Sequence, residues 1–360
     1  MNDEFNLGVQ SVPDRDTAYC ILGGAEDNEI FEEAGKILRE GGVVAFPTET
    51  VYGLGASVYC EEAIDRVFRA KGRPNDNPLI AHIADMSGLE QLVTYMPDHA
   101  LRLAEAYWPG PMTLVLPKLP LVPDSVTAGL DTVGVRMPSD PNARNLLRAA
   151  GVPVAAPSAN RSGRPSPTKA QHVLQDMNGR IDMILDGGES VCGLESTVID
   201  CSGQGITILR PGYVTAQMIY DVTGIQPAIG YGTVTGATVP KAPGMKYRHY
   251  APKGRLFVAL DDDSDADCNS RIRAAYDKDF AQGRKCVILV TKQDKEFFGN
   301  RNAILIGDRT DLSTVAHRVF DAFRQCDREG YDVIYMRGVP DTGVGAAIMN
   351  RVIKASEGRI

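Results

Sequence analysis

Between residues 226 and 254 the chain carries Pro227, Gly230, Gly232, Gly236, Pro240, Pro243, Gly244 and Pro252. Each proline fixes φ and removes a backbone donor, and each glycine loosens the chain. Such a stretch cannot hold a long helix or a central strand, so it reads as a linker. It divides the 360 residues into an N-terminal part, 1–225, and a C-terminal part, 255–360. Each is long enough to bury its own core. Residues 1–16 read as a loose arm.

In the N-terminal part, Ile30, Phe31, Ala34, Ile37 and Leu38 recur at helical spacing and predict a helix over 28–40. Gly41-Gly42 stops it. Strands are expected at 43–46, 112–117, 133–137, 153–156 and 197–201, with helices between. The order mixes βα units with less regular strand pairs, which predicts a twisted α/β sheet. Beyond the linker, strands at 256–260, 286–291, 303–307 and 333–336 alternate with helices at 311–328 and 344–356. That alternation predicts a smaller, parallel, Rossmann-like α/β domain.

Three loops carry the chemistry. Ala63, Ile64, Val67 and Phe68 suggest a helix that must break at Lys71-Gly72-Arg73-Pro74-Asn75-Asp76-Asn77-Pro78. The break leaves Lys71 and Arg73 in a rigid loop, able to hold an anion such as phosphate. Taken alone, two cations at a helix end equally suit its dipole. Apolar Val43-Val44-Ala45 runs into Phe46-Pro47-Thr48-Glu49-Thr50-Val51-Tyr52-Gly53-Leu54-Gly55, read as a loop with hydroxyls, a carboxylate and close glycines. Val154-Ala155-Ala156 runs into Pro157-Ser158-Ala159-Asn160-Arg161-Ser162-Gly163. Polar loops at strand ends are where open α/β sheets bind ligands. Three together point to a pocket for a polar anion.

Hydrophobic content of 43% and charged content of 23% are globular values. No apolar run approaches the ~20 residues of a membrane span, and residues 1–5 lack a signal-peptide pattern. The seven cysteines (20, 60, 192, 201, 268, 286 and 326) are scattered without a C-x-x-C pair. A disulfide framework or zinc site is not expected, and a reducing cytoplasm fits. Cys60 and Cys192 read as plain thiols before nucleophiles. Net charge is −8, against broad electrostatic binding of nucleic acid. Between 131 and 169, however, Arg136, Arg144, Arg148, Arg161, Arg164 and Lys169 face only Asp131 and Asp140. That local excess leaves open a nucleotide pocket, a solvated helix face, or a non-catalytic RNA-binding module. The acidic run 261–267 lacks EF-hand spacing and reads as a solvated loop or helix start. No P-loop, no G-x-G-x-x-G after a strand and no H-E-x-x-H occurs, and Ser158 lies in P-S-A-N rather than G-x-S-x-G. The residues alone reach a pocket for an anionic small molecule and stop there.

The same loops also carry a resemblance. Pro47-Thr48-Glu49-Thr50-Val51-Tyr52-Gly53-Leu54, Lys71-Gly72-Arg73-Pro74 and Ser158-Ala159-Asn160 resemble the signature of the YrdC-type threonylcarbamoyl-AMP synthases. Agreement continues in family order through Trp108–Thr113, Gly134–Pro138, Glu195-Ser196-Thr197-Val198 and Leu209-Arg210-Pro211-Gly212. Residues 243–252, Pro-Gly-Met-Lys-Tyr-Arg-His-Tyr-Ala-Pro, resemble the linker of the longer, two-domain branch. The resemblance implies a YrdC-like catalytic domain over 1–225, a linker over 226–254 folding toward the active site, and a C-terminal domain over 255–360. It implies a nucleotidyltransferase that joins L-threonine, bicarbonate and ATP into threonylcarbamoyl-adenylate, with Mg²⁺ accompanying the ATP and pyrophosphate released. The product would serve a downstream transferase complex that makes N6-threonylcarbamoyladenosine (t6A) at position 37 of ANN-decoding tRNAs. A direct tRNA contact is a further expectation.

By the same resemblance, Lys71 and Arg73 hold the triphosphate and are the catalytic candidates, with Asn77 beside them. Ser158, Asn160, Arg210 and Tyr250 are further ATP candidates, with Thr132 and Ser166 as weaker ones. Thr50, His82, Arg136, Ser196 and the backbone of Ala156 are expected around threonine. Tyr247, His249 and Tyr250 would close over the pocket as a lid. Bland readings stand beside these. Thr50 suits a strand end, His82 a core among apolar neighbours, Arg210 a structural ion pair and Tyr250 an anchor between domains.

Overall fold

The computed structural model describes residues 16–231, 249–260 and 265–360. The first sheet is built from β1 (Ala18–Ile21), β2 (Val44–Phe46), β3 (Gly53–Ser57), β4 (Ile80–His82), β5 (Met112–Pro117), β6 (Thr132–Arg136), β7 (Val154–Ala155), β8 (Met183–Asp186), β9 (Thr197–Asp200), β10 (Thr207–Arg210) and β11 (Ala228–Ile229). Their spatial order is β1-β8-β2-β3-β7-β4-β6-β5-β9-β10-β11, with parallel and antiparallel neighbours mixed. Helices α1 (Asp27–Arg39), α2 (Glu61–Lys71), α3 (Asp98–Tyr107), α4 (Asp124–Thr127), α5 (Pro141–Ala150), α6 (Ala170–Met177) and α7 (Ala216–Thr223) cover it.

The helices cover both faces, and the strand pleat decides which side chain meets which. Val44 and Phe46 point to one face, against Phe31, Ala34 and Leu38 of α1 and Leu146, Leu147 and Ala150 of α5. Ala45, between them, points to the other face, packed with Ile64, Val67 and Phe68 of α2. Helix α2 ends as its glycine requires: Gly72 is left-handed at φ 61, and the Arg73 amide returns to the Phe68 carbonyl at 3.0 Å. Lys71 is thus the last helical residue rather than the first of the expected loop.

Gly53-Leu54-Gly55 departs from the expected loop. It is strand β3, antiparallel to β2, with Phe46 opposite Gly53 and Val44 opposite Gly55. The Phe46 ring lies across both glycines. A Cβ on Gly55 would stand 2.7 Å from Val154 Cγ1 and 2.9 Å from Phe46 Cε1. Here the glycines admit a large ring between strands. Strands β1, β3, β8, β10 and β11 were not expected, and β11 continues the first sheet past residue 225. They are two to five residues long and too short for an alternation to register.

The second sheet holds β12 (Arg255–Ala259), β13 (Cys286–Thr291), β14 (Ala303–Gly307), β15 (Val333–Arg337) and β16 (Gly358–Arg359). All its pairs are parallel, in the order β14-β13-β15-β12-β16. Helix α8 (Asp265–Ala281) packs Cys268, Ile272 and Tyr276 on one face. Helices α9 (Leu312–Glu329) and α10 (Val344–Ala355) pack Val319, Phe323, Ile348 and Val352 on the other. That core extends to Val51, Leu194 and Tyr250, so the two sheets share an apolar seam. All seven cysteines are described, and none is bridged.

Candidate active site

One cavity, of about 750 Å³ with its mouth included, collects the ends of β2, β4, β6, β7 and β10 and the end of α2. Five basic side chains line it: Lys71, Arg73, Arg136, Arg164 and Arg210. Glu195 is the one acidic residue there among the described residues. Thr48, Thr50, His82, Ala156, Ser158, Asn160, Ser196, His249 and Tyr250 complete most of the wall.

Lys71 is buried, and its ammonium donates to the carbonyls of Ser158 and, at 2.6 Å, Asn160. The helix end is thereby tied to the Ser158–Gly163 loop. Burial first, then the neighbouring Arg73 charge, holds the Lys71 pKa well below the usual lysine range. A polyanion at this point would reverse that tendency. Arg73 lies over the Phe68 ring, 5.7 Å from its centroid, and donates to the Asn77 carbonyl at 3.4 Å. Asn77 itself does not line the cavity. It is fully buried behind Arg73, and neither atom of its side-chain amide has a hydrogen-bond partner among the described residues.

Around Arg136 the wall is differently built. Nη1 donates to Thr50 Oγ1 at 2.8 Å, and Nη2 lies 2.8 Å from Glu49 Oε1. Burial raises the Glu49 pKa, but Arg136 outweighs it and keeps Glu49 ionised. Thr50 Oγ1 also meets Thr48 Oγ1 at 2.8 Å, while Thr48 Oγ1 donates to the Val51 carbonyl at 2.7 Å. His82 stands edge-on to Phe46 at 5.9 Å, with Nδ1 3.0 Å from the Ile80 carbonyl. Burial and the Arg136 charge lower its pKa to about 3, so it is neutral. It is a core histidine and a cavity residue at once.

Arg210 bridges to the next strand: Nε donates to the Ser196 carbonyl at 3.1 Å and Nη2 to Ser196 Oγ at 3.2 Å. Ser196 Oγ lies 2.8 Å from Thr113 Oγ1. Tyr250 has φ 68, left-handed for a bulky residue. Its ring is buried, lines the cavity and stacks on Phe320 of α9 with centroids 5.3 Å apart. It is therefore both a wall of the pocket and an anchor between domains. Tyr247 lies outside the described residues.

Of the other expected site residues, Ala156 and Asn160 line the cavity, whereas Thr132 and Ser166, like Asn77, do not. Thr132 begins β6, opposite Pro117 and four residues from Arg136. At the strand rise that is roughly 13 Å from the pocket end. Ser166 is wholly buried, and its hydroxyl donates to Glu195 Oε1 at 2.5 Å. Ala156 N–H is taken by the Ile80 carbonyl at 2.9 Å, which leaves its carbonyl for any ligand. The Asn160 amide nitrogen holds its own loop, donating to the carbonyls of Arg161 and Arg164 at 2.8 and 2.9 Å, and its oxygen accepts from Ser158 Oγ at 2.6 Å. Thr48 and Glu195 were not given roles, although both stand inside quoted motifs.

The basic excess of 131–169 is not one continuous surface: Arg148 and Arg161 are exposed, while most of the others are buried or paired. Arg136 is buried against Glu49, Arg164 pairs with Asp176 at 2.6 Å, and Lys169 pairs with Asp321 at 2.9 Å. Arg144 and Arg148 bond to the Ala84 carbonyl and Asn145. The RNA-binding alternative loses its main support. Burial, then the Glu49 charge, pushes the Cys192 thiol up to about 12, which suits a plain thiol. Among the described residues no group of three His, Cys, Asp or Glu side chains gathers to hold a metal. No helix among them is long and apolar enough to cross a membrane.

A mixed α/β sheet with a cation-rich cavity at its strand ends, joined to a parallel α/β domain, defines a two-domain α/β protein whose cavity suits a polyanionic small molecule. The family model Sua5_yciO_yrdC, described as "Telomere recombination", matches residues 36–212. The model described as "Threonylcarbamoyl-AMP synthase, C-terminal domain" matches residues 214–357. The threonylcarbamoyl-AMP synthase of Bacillus subtilis is 45% identical over 91% of this chain and 93% of its own. That of Pyrococcus abyssi is 46% identical over 91% and 94%. The crystal structure of P. abyssi Sua5 complexed with L-threonine superposes with a TM-score of 0.86 at 42% identity, covering 96% of this chain and all of that one. The chain belongs to the threonylcarbamoyl-AMP synthase family.

Proposed function

We infer that this protein is a threonylcarbamoyl-AMP synthase acting as a nucleotidyltransferase on L-threonine, bicarbonate and ATP. The threonine amine attacks the bicarbonate carbon and, with loss of water, gives a carbamate. A carbamate oxygen attacks the α-phosphorus of ATP, and the bond to the bridging oxygen breaks to release pyrophosphate. Nearly every reactant is anionic, so the catalytic work is neutralisation and alignment, and no covalent enzyme nucleophile is needed.

The observation that supports this best is the convergence of two cationic groupings in one cavity. Lys71 and Arg73 meet at the end of α2, suited to phosphates. Arg136, with Thr50 and Ser196 nearby in the wall, suits an amino-acid carboxylate and hydroxyl. Arg210 and Tyr250 border the nucleotide, and Asn77 completes its pocket from behind Arg73. Mg²⁺ would arrive on the ATP phosphates, held by their oxygens and water. His249 and Tyr250, both in the cavity wall, would help shut the pocket against water. The adenylate would pass to a transferase complex for t6A at position 37 of ANN-decoding tRNAs.

The test is pyrophosphate release from ATP with Mg²⁺, with L-threonine and bicarbonate each added or omitted. Release that needs both, with a threonylcarbamoyl-adenylate mass among the products, supports the reading. Release indifferent to threonine overturns it.

A further inference from the structure

Arg351 belongs to the C-terminal domain, on α10, yet its side chain has no exposed surface. Its guanidinium reaches into the catalytic domain. Nε donates to Glu195 Oε2 at 3.0 Å, Nη2 to the Glu195 carbonyl at 3.3 Å, and Nη1 to the Pro211 carbonyl at 2.6 Å. One planar fork therefore clamps two neighbouring segments, one just before Ser196 and one just after Arg210. Those two residues are themselves joined by the Arg210–Ser196 hydrogen bonds. Glu195 is the acidic residue of the cavity wall, and its second oxygen is fixed by Ser166.

Other ion pairs cross between the domains. Arg324–Asp176 at 2.8 Å and Lys169–Asp321 at 2.9 Å involve no carboxylate of the cavity wall. Arg351 differs because each of its acceptors across the interface belongs to Glu195 or Pro211, beside the cavity residues Ser196 and Arg210.

We propose that Arg351 is a positioning residue of the active site, through which the C-terminal domain sets Glu195, Ser196 and Arg210 for L-threonine and the nucleotide. The proposal rests on the synthase reading for the identity of the ligands. A lysine could keep the charge, but a single ammonium cannot reproduce three donors fanned from one plane.

The experiment uses the full-length chain as Arg351→Met, Glu195→Gln, the double variant and Arg351→Lys. L-threonine affinity by calorimetry and threonine-dependent pyrophosphate release are both measured on protein shown folded by its melting curve. Arg351→Met is expected to weaken threonine binding, and to raise the threonine KM, on the order of 10- to 100-fold. The double variant is expected to lose little beyond the larger single loss, because the two side chains act as one unit. Folded Arg351→Met with threonine affinity and KM within about twofold of the parent, or losses that multiply in the double variant, overturns the proposal. If Arg351→Met does not fold, Arg351→Lys decides: a weakened threonine affinity supports the role, and an unchanged one overturns it. Threonine-independent release by the parent protein would instead sink the synthase reading, while the calorimetry would still judge Arg351.

Discussion

Glu49 and Arg136 meet at 2.8 Å inside the protein, one from the loop after β2 and the other from the end of β6. Both side chains are less than a tenth exposed. Glu49→Ala strands the guanidinium with Thr50 as its remaining hydrogen-bond acceptor. Breaking such a buried pair from one side costs about 3–5 kcal/mol. Denaturant unfolding of Glu49→Ala should show a loss of that size, and an unshifted midpoint would mean that the pair is solvated in solution.

Lys71 offers the opposite balance. Its ammonium is buried beside Arg73 and held by carbonyls rather than by a carboxylate. Lys71→Met removes a desolvated charge that has no carboxylate partner and sits beside Arg73, which offsets the two carbonyl bonds it gives up, so folding stability should hold or rise. Turnover should suffer instead, with kcat/KM for ATP falling on the order of 100-fold. Pyrophosphate release beside a melting curve separates the two, and full activity in a folded variant removes Lys71 from the phosphate site.

Tyr250 tests the seam between the domains. Its φ of 68 is strained for any residue but glycine, while its ring stacks on Phe320. Tyr250→Ala loses the ring and keeps the strain, whereas Tyr250→Gly loses the ring and relieves it. The glycine variant should be more stable than the alanine variant by about 1 kcal/mol. Equal denaturation midpoints would show that the linker backbone relaxes once the ring is gone.

Stability should fall with acid through the buried histidines. Burial lowers His82 from 6.5 to about 3, and burial with Arg73 lowers His249 to about 4. Between those values and 6.5 the unfolded chain binds protons that the folded chain refuses. Unfolding free energy therefore drops as pH falls below about 6.5, by roughly 1.4 kcal/mol per pH unit for each histidine. His82→Gln should flatten the slope between pH 6 and pH 4 by about that amount, measured by denaturant titration at each pH. An unchanged slope would place His82 in contact with solvent.

Some of this was legible in the residues. The helix over 27–39 and the strands at 286–291 and 303–307 follow from apolar spacing that extends over whole elements. The helix break at Gly72 follows from residues with one conformational habit. Lys71, Arg73, Ser158, Asn160, Arg136, Ser196 and Arg210 all face one cavity, as the loop motifs and the family resemblance implied. The short strands did not register, and Gly53 and Gly55 read as a loop because the ring that requires them, Phe46, lies on another strand.

By itself, the sequence determined the α/β class and many of the side chains gathered in the cavity. Those depend on local spacing and on which residue types can bear charge. Only the tertiary structure decided that Ser166 holds Glu195, that Thr132 lies a strand's length away, and that Asn160 ties down its own loop. It alone brought Arg351, 156 residues from Glu195 along the chain, into hydrogen bonds with Glu195 and Pro211 beside the cavity. A clamp of that kind leaves no periodic or local trace, because its partners are chosen by how two separate sheets pack.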